Sequence, residues 1–61
     1  MSIIKILGIN QYTLAIYYTS YDCYKYSIID EYGVVLEPDD IFYTSEAAES
    51  EGREAINTVS S

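Results

Sequence analysis

Ile29-Asp30-Glu31-Tyr32-Gly33-Val34 reads as a bulged hairpin, and the architecture follows from it. Asp favours the first position of a type I turn, where its carboxylate accepts a nearby backbone N–H. Gly33 then supplies the positive φ that closes the turn. Tyr24 to Ile29 becomes the outgoing strand and Val34-Val35-Leu36-Glu37 the returning one. Pro38 has no N–H to give a sheet ladder, so the return ends there or lies at an edge.

Upstream of the hairpin the texture stays β, rich in Tyr, Ile, Val and Thr, which fit a pleated, half-buried surface. Thr13 to Thr19 alternates so that Leu14, Ile16 and Tyr18 share one side. Tyr24, Tyr26 and Ile28 do the same in the next run, with Ser20-Tyr21-Asp22-Cys23 as the connection. Ile3 to Leu7 supplies an additional strand, with Gly8 to Gln11 as its turn.

Downstream of Phe42-Tyr43 the pattern turns helical. Thr44 or Ser45 can cap the first free amides, and Glu46 and Glu49 sit where the positive end of the dipole favours them. Glu49 and Arg53 stand four apart in the favourable order. Ala48, Gly52, Ala55, Ile56 and Val59 form one small and apolar stripe. Gly52 costs about 1 kcal/mol against Ala in a helix interior, so its place on that stripe implies a close approach of helix to sheet. Asn57 to Ser61 is expected to fray.

The expected fold class is α+β. A three- to four-stranded antiparallel meander carries one C-terminal helix on one face, βββα or ββββα. Strands fall at about 3–7, 13–19, 24–29 and 34–37, with 41–43 as an optional extra, and the helix at about 45–57, all in one domain over 1–61.

Composition removes many functions. The chain has 61 residues, 3 Lys and Arg against 10 Asp and Glu, a net charge of −7, no His and a single Cys. A His-containing triad and a Cys/His zinc site are thereby excluded, and one thiol closes no bridge within its own chain. Direct nucleic-acid binding is not expected at this charge. Tyrosines on a sheet can stack on single-stranded bases, but such platforms carry basic side chains, and the β region holds only Lys5 and Lys25. The apolar run at Ile3 to Ile9 is too short for a bilayer and lacks the order of a secretory signal. With the lone Cys23, the expectation is a cytoplasmic protein with no membrane partner.

No residues are assigned to catalysis, metal or cofactor. Cys23 has Asp22 beside it rather than a base or cation that would activate it. The acidic loops lack the spacing of a calcium loop, which leaves a weak divalent-cation site as a minor alternative. Paired carboxylates would find little depth on a single sheet with one helix.

What remains is interaction. A chain this short buries only about 60% of the surface that its unfolded form exposes, and one helix covers one face. If Leu14, Ile16, Tyr24, Tyr26, Ile28 and Leu36 lie beneath it, then Ala15, Tyr17, Ile29 and Val35 point away, a set too apolar for a plain solvated face. Those four and Tyr21 in its loop are the candidate interface, since tyrosine is enriched at interfaces. The expected function is a non-catalytic protein-interaction module, with a protein partner or a homodimer formed through the uncovered face or an edge strand. The alternative is an acidic inhibitor that imitates nucleic acid in a basic groove, using Asp30, Glu31, Glu37, Asp39, Asp40, Glu46 and Glu49. The bland counterpart of that surface is a solubilising one.

Overall fold

Alternation in the two central strands decides the layering. The computed structural model describes residues 2–60 and has the order β1 (Ser2–Ile9), β2 (Tyr12–Tyr18), β3 (Tyr24–Ile29), β4 (Val35–Leu36) and α1 (Ser45–Ser60). The strands form one antiparallel meander in the order β1-β2-β3-β4. Register sets Leu14 opposite Ile28 and Ile16 opposite Tyr26, and α1 packs over β2 and β3. The core is therefore Leu14, Ile16, Tyr26 and Ile28 from the sheet with Ala48 and Ile56 from the helix. Burying each of Leu14, Ile16 and Ile56 contributes roughly 1.5–3 kcal/mol. Burial pushes the Tyr26 phenol above its ordinary pKa, and the Asp40 and Glu51 carboxylates add to the rise, so its hydroxyl stays neutral.

The 29–34 hairpin forms as expected. Asp30 Oδ1 accepts from the Tyr32 and Val34 backbone N–H groups at 2.9 Å each, and Gly33 has φ 85°. Thr44 is the helix cap: its Oγ1 accepts from the Ala47 N–H at 3.1 Å.

Element bounds differ in four places, each with a local cause. The first strand runs on to Ile9 because Asn10 takes φ 57°, a conformation Asn tolerates, so Asn10-Gln11 alone makes the turn between paired Ile9 and Tyr12. The second starts at Tyr12 and stops at Tyr18, because Tyr21 and Asp22 both adopt left-handed φ (54° and 58°) and Cys23 N–H closes the turn on the Ser20 carbonyl at 3.0 Å. The returning strand shrinks to Val35–Leu36; the chain bows out through Pro38, and 41–43 survives as one bridge between Phe42 and Tyr24. The helix continues to Ser60 instead of fraying at Asn57, with the Thr58 hydroxyl donating to the Glu54 carbonyl at 3.0 Å.

Leu36, expected under the helix, and Val59, expected on its apolar stripe, reach only the rim: they are 51% and 58% exposed. β1 carries an irregularity. Ile3 pairs Tyr17 and Lys5 pairs Ile16, leaving Ile4 as an extra residue in a bulge.

Candidate functional site

The sheet face turned away from α1 is built by the odd residues of β2 and their neighbours across the ladders. Tyr17 lies between Ile3 and Lys25, Ala15 between Ile6 and Ser27, and Thr13 between Gly8 and Ile29, with Val35 beyond Ile29. Ile3, Ile6 and Val35 are each more than half exposed (62, 61 and 53%). The polar members cluster at one side, where the Ser27 hydroxyl donates to Glu37 Oε1 at 3.0 Å. Glu37 therefore leans over the buried Ser27.

Of the five sequence-derived interface residues, Ala15, Tyr17, Ile29 and Val35 share this face. They differ in reach: Val35 is exposed, Ala15 and Ile29 are half-buried, and Tyr17 is buried at 8%. Ile3 and Lys25 flank Tyr17 on the two neighbouring strands, and its low exposure makes it floor rather than contact. Tyr21 stands apart at the tip of the β2–β3 turn, 91% exposed. Its turn is held by the Tyr18 hydroxyl, which accepts from the Asp22 N–H at 3.1 Å, while the Tyr18 ring meets Tyr24 edge-on, with ring centroids 5.4 Å apart. Sequence reasoning missed Ile3 and Ile6. The run Ile3-Ile4-Lys5-Ile6-Leu7 has no alternation that would assign its faces, and the bulge at Ile4 is invisible in it.

The seven candidate acidic residues divide. The Asp30 carboxylate is occupied by turn amides, Glu37 by Ser27, and Glu49 by Lys5 Nζ at 3.0 Å and Arg53 Nε at 2.9 Å. Hydrogen bonds from Lys5 and then Arg53 hold the Glu49 carboxyl below its ordinary pKa. Glu31, Asp39, Asp40 and Glu46 are exposed. Among the described residues no three His, Cys, Asp or Glu side chains converge into a metal-ligand set. Nor is any helix there long and apolar enough to cross a membrane.

The surface also carries hollows. An open apolar groove of about 190 Å³ lies between the 29–34 hairpin and the C-terminal half of α1, lined chiefly by Tyr12, Ile28, Val34, Leu36, Ala55 and Val59. A second, polar hollow holds the Glu49–Arg53 pair with Glu46 and Ser50. Neither hollow has Cys23 in its lining; the Cys23 thiol donates instead to the Tyr21 carbonyl at 3.4 Å. No protein family, curated protein or solved structure matches the chain.

Proposed function

We propose that the chain is a non-catalytic protein-interaction module that self-associates through the sheet face left open by α1. The observation that carries this reading is the exposure of Ile3, Ile6 and Val35 on one continuous face. An exposed apolar patch of this kind marks an interaction surface. The thin core favours it too, because a second copy adds burial that the chain lacks by itself. The acidic-mimic alternative is less favoured, because Asp30 is engaged by turn amides and Glu49 by Lys5 and Arg53 within the fold. The test is sedimentation velocity over a concentration series, with Val35→Asp as the probe. A reversible dimer that Val35→Asp abolishes supports the reading; a monomer at every concentration overturns it.

A further inference from the structure

We propose, building on the self-association reading, that the second copy docks face to face about a two-fold axis and is held by reciprocal Lys25–Glu37 ion pairs. Charge is the first ground. The chain carries ten acidic residues and a net charge of −7, so two copies repel wherever acids meet. The uncovered face holds charges of both signs, Lys25 and Glu37. Lys5 and Arg53 both spend their charge on Glu49, whereas Lys25 has no ion pair among the described residues.

Register supplies the geometry. Lys25 and Ser27 are successive open-face residues of β3, and Glu37 lies beside Ser27 on the next chain segment. Lys25 and Glu37 are thus one strand spacing and two residues apart, about 8 Å between backbones. Within a copy the Glu37 carboxylate turns to the Ser27 hydroxyl instead. An axis lying in the face, perpendicular to the line joining Lys25 and Glu37, exchanges the two residues. That axis passes over Ala15 and Ser27, whose small side chains let the sheets close to about 10 Å once Glu37 turns from Ser27 toward Lys25 of the other copy. The same rotation lays Ile29 and Val35 of each copy over Ile3 and Tyr17 of the other, the self-complementarity that a two-fold contact requires. The strands of the two copies then cross near a right angle, one of the two stable ways for sheets to pack.

Area sets the strength. Three strands of about six residues with the two-residue β4 at their edge give a footprint of about 330 Å², less than half of the roughly 800 Å² per partner in a standard lasting interface. The dimer is therefore weak and reversible.

The experiment is sedimentation velocity from micromolar to millimolar chain for wild type, Lys25→Glu, Glu37→Lys, their equimolar mixture and Val35→Asp, with thermal melts to establish folding. Each charge variant alone sets like charges against each other twice and weakens association about tenfold. In the mixture every pair is again opposite in sign, and association returns as a heterodimer. Glu37→Lys also makes the chain less acidic, so mere relief of overall repulsion would tighten its self-association. Tighter association of Glu37→Lys, or a mixture no stronger than its parents, overturns the ion-paired geometry while a dimer sensitive to Val35→Asp keeps the broader reading. A wild type that never dimerises, or a dimer indifferent to Val35→Asp, overturns both.

Discussion

Gly52 rests directly on Leu14: a Cβ added at Gly52 would lie 2.5 Å from Leu14 Cδ1, 3.1 Å from Cδ2 and 3.3 Å from Cγ. Leu14 is fully buried, so its methyl groups must shift within the core to admit a Cβ.

Gly52→Ala therefore destabilises the fold even though Ala is the better helix former. Overpacking costs about 1–3 kcal/mol against about 1 kcal/mol gained in propensity. Urea denaturation should give a net loss of up to about 2 kcal/mol. Gly8→Ala is the control, since a Cβ at Gly8 meets nothing within 4 Å; it should be neutral or stabilising by about 0.5 kcal/mol. Equal effects from the two variants would refute the close-approach explanation.

Gly33 and Asp30 form a second pair of sites. Gly33→Ala places a Cβ at φ 85°, which costs about 1–2 kcal/mol. Asp30→Ala strips the acceptor from two turn amides and costs about 1 kcal/mol. Asp30→Asn keeps an acceptor oxygen and should recover most of that loss in the same denaturation assay.

Glu49 makes stability depend on pH. Its folded pKa lies below the ordinary 4.5, so its contribution is present in full above that value and disappears as pH falls through the lowered one. Other carboxylates titrate nearby, so the quantity to follow is wild-type minus Glu49→Gln stability. That difference should be constant from neutral pH down to about 5 and shrink below it. A difference unchanged down to pH 2 would show that the Lys5 and Arg53 contacts carry no charge-dependent stability.

Tyr21 holds an unfavourable backbone conformation for a bulky residue with its side chain 91% exposed. Asn tolerates that conformation, so Tyr21→Asn should raise stability by about 0.5–1 kcal/mol, read as a higher melting temperature. A lower one would mean that the ring contributes packing its exposure conceals.

The local features of this fold were legible in the sequence because local chemistry fixes them. Asp30 and Gly33 name their turn, Thr44 names its helix start, and Gly52 on an apolar stripe announces a close neighbour. The alternation of Leu14, Ile16, Tyr26 and Ile28 placed the core correctly, and with it the four residues of the opposite face. Features built from distant residues were not legible. Lys5 finds Glu49 across 44 positions, and nothing in the composition of either neighbourhood announces that pairing. Tyr17 is buried with Ile3 and Lys25 as its ladder partners on two different strands, a setting that its own stretch of sequence does not reveal. Left-handed backbone at Tyr21 and Asp22 contradicts residue preference at Tyr21, because the sense of twist in the flanking strands selects the turn.

The extra residue at Ile4 also bears on solubility. β1 is the longest strand and lies at the rim of the sheet, where a straight ladder is a template for chain-on-chain growth. Deleting Ile4 would leave Ile3 and Lys5 facing as they do now while straightening the rim along its whole length. The shortened chain would be internally better ordered yet poised to seed fibrils. The bulge at Ile4 interrupts the straight margin that such recruitment needs.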